Sequence, residues 1–353
     1  MQIPPGQRLR ELNGPLLLTG HTGFKGTWMT FLLEHLNVPV VGYSLNAEKD
    51  SLFDRGERNG AIPEEFSDIR DYEALEEFID THQPSTIIHM AAQPLVLKSY
   101  ESPRDTFDVN VMGTVNILDI AFKKDFVKAI IVVTTDKVYR NDNSGRPFVE
   151  TDPLEGKDPY GASKVATESV VTAWRQILKT YGGPNLLSVR AGNVIGGGDF
   201  AEDRLIPDII RGLINNKPIT IRNRKSIRPW QHVLDPLVGY LYALEEILIN
   251  NRLESLNFGP RETKVSVENL VEKAITITPK LIPLVRFIEE SNKELEAEKL
   301  QITSENSFKT LRWAPVWNSE IAITATFKWW NEYLEEQISV EELCHRDIIN
   351  FFN

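Results

Sequence analysis

Short, unbroken apolar runs alternate with amphipathic stretches through the first half of the chain, and this alternation limits what it can fold into. PLLLTG (Pro15 to Gly20) is a strand-length run closed by glycine, and FLLEHLNVPVVGYSL continues with helical spacing and then another apolar run. YEALEEFIDTHQPSTIIHMAAQ repeats the order as an acidic amphipathic helix, a break at Pro84 and a strand from Thr86 to Met90. VKAIIVVTTDKVY supplies a further strand ending near Thr134, and NLLSVRAGNVIG another from Leu186 to Arg190. A strand that is apolar at every position is covered on both faces. Strands of this kind separated by helices predict an α/β fold on a doubly wound parallel sheet.

With 353 residues, 41% of them hydrophobic and 25% charged, the chain suits one large α/β domain with a smaller appended part. Beyond Asn193 the pattern turns to glycine, charge and proline, in GGGDFAEDRLIPDII and NNKPITIRNRKSIRPWQHV. This reads as a smaller lobe interleaved with the main one, because VLDPLVGYLYALEEILIN (Val233 to Asn250) returns to a helix apolar enough to pack on the sheet. The predicted division is residues 1–192 plus about 232–258 for the sheet domain, and about 193–231 plus 259–353 for a C-terminal substrate lobe.

Fifty acidic residues against 39 Lys and Arg leave a formal net charge of -11. Such a field repels phosphate backbones at long range and argues against nucleic acid or an anionic membrane as partner. Cys344 is the one cysteine, so neither an internal disulfide nor a thiolate metal cluster is expected, and no His, Cys or carboxylate spacing matches a metal site. MQIPPGQRLRELNGP has no apolar leader segment and no run is long enough to span a bilayer, which makes a cytoplasmic location the expectation.

Three motifs carry chemistry. The first, LLLTGHTGFKGTW, sets Gly20, Gly23 and Gly26 at equal spacing between a predicted strand and a predicted helix. Gly20 would permit a tight turn, Gly23 the approach of a pyrophosphate to the helix N-terminus, and Gly26 close contact of helix and strand. Taken alone, the motif is equally a plain strand-to-helix turn. The second is Tyr160-x-x-x-Lys164 in DPYGASK, two residues on one helix face, where an ammonium beside a phenol would favour the phenolate and let Tyr160 take a proton from an alcohol. The third is Thr134, Thr135, Asp136 and Lys137, at the C-terminal end of a predicted parallel strand, where open α/β sheets place their ligands. Each could be an ordinary polar turn or helix face; the three in this order point to a hydride-transfer enzyme.

These motifs, with VVGYSL, DIRD, HMAAQPLVLKSYESPRDTFDVNVMGTVNIL, RAGNVIGGGDFAEDRLIPDIIRG and IRPWQHVLDPLVGYL, resemble the extended short-chain dehydrogenase/reductase family. Within it they look most like the CDP-glucose 4,6-dehydratases. The likeness runs from the first turn to about Leu241, roughly two-thirds of the chain. It implies a Rossmann-type sheet, a nucleotide-diphosphate hexose as substrate, CDP-glucose in particular, and a homodimer formed through helices like Thr106 to Phe122 and Tyr160 to Leu178. It also implies NAD as cofactor, bound by Gly20, Thr22, Gly23, Phe24, Lys25, Gly26, Ser44, Asp68, Ile69, Ala91, Ala92, Gln93, Asn110, Thr134, Tyr160 and Lys164. NAD-specific Rossmann folds usually carry Asp or Glu about 20 residues beyond the glycines. Here Tyr43 and Ser44 stand there, so NADP stays open. The segment between Tyr139 and Asp158 is shorter than the resemblance leads one to expect.

The resemblance implies net loss of water from the sugar. Tyr160, tuned by Lys164 and near Thr135, would deprotonate the C4 hydroxyl as hydride leaves C4; Asp136 would protonate the departing C6 hydroxyl. Lys137 stands where related dTDP-glucose dehydratases carry the Glu that acts as C5 base. Asp136 must then hold a proton and Lys137 must be neutral, and both need burial. Neighbours on a regular strand face opposite ways, so the two converge only if the chain leaves strand geometry there. Arg204, Arg222 and Arg228 are candidates for the diphosphate. Asn193 could bind a phosphate oxygen or cap a turn, and His232 could position substrate or be a structural histidine. The rivals are a 4-epimerase or 4-reductase of the same fold, which need no elimination acid and base, and a non-catalytic NAD(H)-binding sensor, which would have no use for Tyr160 and Lys164.

Overall fold

All the expected strands lie in one sheet. The computed structural model describes residues 4–142, 144–201, 204–221, 224–227, 230–250, 252–260, 265–288 and 300–353. Its strands are β1 (Leu16–Thr19), β2 (Val40–Ser44), β3 (Glu64–Phe66), β4 (Thr86–His89), β5 (Ala129–Val133), β6 (Asn185–Ala191), β7 (Val194–Ile195), β8 (Ile219–Ile221), β9 (Gln231–His232), β10 (Ser255–Phe258) and β11 (Val285–Phe287). The main sheet runs β3-β2-β1-β4-β5-β6-β10 with every pairing parallel. This is the predicted doubly wound arrangement. From β1 the chain proceeds outward through β2 to β3, then crosses back to β4 on the other flank of β1. The crevice beyond the C-terminal ends of β1 and β4 is therefore the topological switch point, where such sheets take ligands.

Alternation along β1 explains the two layers. Leu16 and Leu18 join the apolar cluster of one face and Leu17 that of the other, and all three are buried. On the Leu17 face lie the helices Tyr72–His82, Gly113–Phe122 and Pro159–Tyr181, contributing Leu75, Ile79, Ile117 and Val171. On the other lie Phe24–His35 and Leu234–Ile247, the latter packed on β5 and β6 as its composition predicts. Burying each such Leu or Ile is worth roughly 1.5–3 kcal/mol. Helix Phe24–His35 is buried from Gly26 to Leu33: Trp28 donates to the Gly197 carbonyl at 3.0 Å, and Phe31 meets His345 of the helix Val340–Phe352 edge-on at 5.5 Å. The core is thus continuous from the first helix to the last.

After Asn193 the chain builds two small parallel pairs, β7 with β9 and β8 with β11. Among the described residues no helix is long and apolar enough to cross a membrane.

Candidate active site

β1 ends at Thr19 and Gly20 turns the chain with φ +74, a left-handed conformation natural to glycine. A Cβ on Gly20 would also lie 2.8 Å from the Ala91 nitrogen, and one on Gly26 only 2.1 Å from the Gly20 carbonyl oxygen. Protein packing alone therefore requires both glycines. Gly23 is different: its φ is -73 and a Cβ there would meet nothing nearer than the Gly20 oxygen at 3.4 Å. It caps the helix Phe24–His35 and brings no side-chain cap to that helix's first amides. An uncapped helix N-terminus, kept bare by a glycine that the protein itself does not need, fits an approaching phosphate. Of the two readings the motif left open, the cradle is the one these contacts favour.

The loop is tied to β2 by side chains. Thr22 donates to the Leu45 carbonyl at 3.0 Å, leaving Ser44 to donate to Thr22 at 2.8 Å. Phe24 is half-buried. Across the crevice Ala91 and Ala92 are half-buried, Ile69 is buried, and Asp68 is paired with Arg70 at 2.7 Å. Two expected ligand contacts carry structural hydrogen bonds. The Gln93 amide donates to Thr106 at 2.8 Å and Leu95 O at 3.2 Å and accepts from the Leu95 amide at 2.7 Å. The Asn110 side chain accepts from the Gln93 amide at 2.8 Å and donates to Gln93 O at 3.1 Å and Ser163 at 2.8 Å. Buried amides must be satisfied, and here they fasten the loop after β4 to the helix that carries Tyr160. Thr134 is likewise committed, donating to Glu168 at 2.6 Å.

At the end of β5 the backbone leaves strand geometry, as convergence of Asp136 and Lys137 demands. Thr135 caps a 3₁₀ turn, Asp136–Val138; its hydroxyl accepts from the Lys137 amide at 3.3 Å and reaches Asp136 Oδ1 at 3.2 Å. Asp136 is buried, whereas Lys137 is only half-buried, so the full burial expected of Lys137 is not provided. The helix Pro159–Tyr181 starts beside this turn because Asp158 caps it, accepting from the Gly161 amide at 2.8 Å, and Pro159 occupies its first position.

Tyr160 is buried on this helix and hydrogen-bonded to Thr135. Burial pushes its phenol up to about 12, opposed by the Thr135 bond, with Asp136 adding to the rise and Arg204 resisting it. This corrects the expectation that Lys164 holds Tyr160 acidic: in the protein alone, desolvation outweighs neighbouring charge. The Lys164 ammonium donates to the Val133 carbonyl at 3.3 Å, and burial brings it down to about 8 against the opposing pull of Glu168.

Lys25 does not turn toward the phosphate crevice. It is half-buried, with Nζ 3.0 Å from the Tyr240 hydroxyl, and Arg204, Lys164 and Asp136 all act on it electrostatically. Arg204 pairs with Asp199 at 3.1 Å and acts electrostatically on both Lys25 and Tyr160. Asn193 is exposed. His232, one of the expected substrate contacts, is fully buried between Trp28 and Trp317, and burial holds it down at about 3. It is a core histidine. Arg222 and Arg228 lie outside the described residues. Among the described residues no group of His, Cys, Asp or Glu is arranged to hold a metal.

Reasoning from sequence missed the buried support behind the site. Arg190 pairs with Glu168 at 2.8 Å and donates to Tyr139 at 2.9 Å, and Tyr139 donates to Asn257 at 2.7 Å. Glu168 stands one helical turn beyond Lys164, a spacing that could have revealed it.

A family model described as the NAD dependent epimerase/dehydratase family matches residues 16–259. The chain belongs to that family. Among members of the NAD dependent epimerase/dehydratase family, the CDP-glucose 4,6-dehydratase of Salmonella typhimurium is 40% identical over 323 residues, covering 89% of each chain. Two solved structures share the fold. One is a dTDP-glucose 4,6-dehydratase from Bacillus anthracis in complex with NAD, with a TM-score of 0.75 and 24% identity over 92% of this chain and 98% of that one. The other is a UDP-glucose-4-epimerase from Stenotrophomonas maltophila with bound NAD and formylated UDP-arabinopyranose, with a TM-score of 0.80 and 20% identity over 92% and 100%.

Proposed function

We propose that the protein dehydrates CDP-glucose to its 4-keto-6-deoxy derivative with NAD as resident cofactor. The observation that carries this reading is the turn Thr135–Asp136–Lys137 beside Tyr160: an epimerase needs the tyrosine, but a buried carboxyl and an amine on one turn next to it suit an elimination. The 40% identity to the Salmonella typhimurium CDP-glucose 4,6-dehydratase supports the cytidine nucleotide.

In this reading the bare amides of helix Phe24–His35 would hold the pyrophosphate of NAD, and Thr22 and Ser44 would offer hydroxyls to its ribose. When bound, NAD supplies the hydride acceptor and later the donor. Tyr160, oriented by Thr135, takes the C4 hydroxyl proton, and Lys164, one turn along the same helix, takes up or releases charge near neutrality. The ketone acidifies C5–H; Lys137, whose half-exposed amine the bound sugar would shield from water, removes that proton and Asp136 donates one to the departing C6 hydroxyl, so water leaves and the ring keeps its charge. Arg204 offers the sugar-bound diphosphate a guanidinium in an otherwise acidic protein. Leu97, Tyr100, Phe107 and Met112 are exposed apolar residues beside the helix Gly113–Phe122, which supports assembly as a homodimer. The buried, unpaired thiol of Cys344 suits a reducing cytoplasm.

The test is product mass. Incubation with CDP-glucose should give a product lighter by one water that absorbs in alkali, and Tyr160→Phe should lower the rate on the order of 10²–10⁴-fold. A product of unchanged mass would point to epimerisation, and undiminished turnover by Tyr160→Phe would overturn the reading.

A further inference from the structure

Lys25 is an oddity of the glycine-rich loop. Its neighbours Gly23 and Gly26 frame the phosphate crevice, yet its own side chain dives beneath the loop and ends on Tyr240, a residue 215 positions away. Tyr240 is itself fully buried, packed edge-on against Phe258 at 5.3 Å, and both Tyr160 and Asp136 act electrostatically on its hydroxyl. The Lys25 amine is thus bonded to a distant helix and lies within electrostatic reach of three further elements. The charged and titratable groups facing it are Tyr240 from the helix Leu234–Ile247, Lys164 from the helix Pro159–Tyr181, Arg204 at the start of Leu205–Ile214, and Asp136 from the 3₁₀ turn.

We infer that Lys25 is a positioning residue for the reaction, acting through Tyr240 and by its charge on the Asp136 carboxyl rather than by holding a phosphate. Holding a half-buried ammonium within electrostatic reach of two other cations costs free energy, and its bond to the buried Tyr240 keeps it there. A charged Lys25 favours ionised Asp136, and a neutral one lets Asp136 keep the proton that elimination needs. Burial, reinforced by Arg204 and Lys164, brings Lys25 down to about 7, within the range where its charge can change during work. The inference rests on the proposed dehydration, since it gives Asp136 its role.

The experiment is the pH profile of kcat/KM for CDP-glucose with the NAD-loaded enzyme, alongside retained NAD measured after acid release. The wild type should show an inflection near 7. Lys25→Met fixes the position neutral and Lys25→Arg fixes it charged. Both should lose the inflection, with the Met variant on the higher plateau above it and the Arg variant at least tenfold lower. Tyr240→Phe, which removes only a hydroxyl, takes away the acceptor that favours the ammonium, so its inflection should move to lower pH. All three variants should retain NAD within twofold. An inflection unchanged in Tyr240→Phe and in whichever Lys25 variant folds would overturn the inference, as would NAD loss that alone accounts for the lost rate. Absence of water loss in the wild type would instead sink the functional reading on which the inference stands.

Discussion

Gly23→Ala separates what the fold needs from what the ligand needs. Its φ of -73 suits alanine, and the added methyl would meet one protein atom, the Gly20 oxygen, at an ordinary 3.4 Å. Two small terms then nearly cancel. Alanine is a poorer N-cap than glycine by about 0.5–1 kcal/mol, while the stiffer unfolded chain returns about 0.4–1 kcal/mol. Stability should change by less than about 1 kcal/mol. Cofactor binding should suffer far more, because the methyl stands where a phosphate oxygen would meet the helix amides. Losing one or two charge-assisted bonds at about 1.5–3 kcal/mol each corresponds to a ~10- to 10⁴-fold weaker Kd for NAD. Gly26→Ala is the contrasting control: its methyl would lie 2.1 Å from the Gly20 oxygen, so helix and turn must part, and stability should fall by roughly 1–3 kcal/mol. Urea denaturation and titration calorimetry with NAD on both variants decide the matter. Full NAD affinity in a folded Gly23→Ala protein would refute the phosphate assignment.

Asp136→Asn should lower dehydration by about 10²–10⁴-fold while leaving retained NAD unchanged, measured by product mass and acid-released nucleotide. Glu168→Gln leaves Arg190 buried without its counter-charge and should cost about 3–5 kcal/mol in urea denaturation; a cost under about 1 kcal/mol would show that Tyr139 and the Glu150 carbonyl suffice for Arg190. Burial holds both His89 and His232 down at about 3, below the ~6.5 of the unfolded chain. The unfolded state therefore binds the extra protons. Their stabilising contribution is complete above pH 6.5 and is lost as pH falls toward 3, at up to about 1.4 kcal/mol per pH unit for each histidine. Stability that stays flat between pH 7 and 5 would contradict this.

The strands easiest to read in the sequence were those sealed on both faces. LLLT, TIIH and AIIVV are buried throughout, and a parallel sheet between two helical layers leaves a continuous apolar run as its trace. EEF in β3 and SLNF in β10 are edge strands, and their pairing is decided by a neighbour, not by their own composition. The reaction centre was legible for a related reason: Thr135, Asp136 and Tyr160 lie next to element ends that the sequence marks with Asp158, Pro159 and the end of an apolar run. What escaped was whatever depends on distant partners. No local pattern tells that Gln93 and Asn110 bond to each other, that His232 enters a cage of tryptophans or that Lys25 turns to Tyr240.

The helix that follows the glycine-rich loop has its outer side roofed by the chain's final helix, through Phe31 with His345 and His35 stacked on Phe352 at 5.8 Å. On a ribosome the loop and its helix emerge long before that roof exists, so the nucleotide cradle stays unfinished while most of the polypeptide is made. Capture of the dinucleotide should accordingly wait until residues 340–352 have been made. A nascent chain stalled ahead of residue 340 should fail to retain NAD although every residue of the cradle is already present.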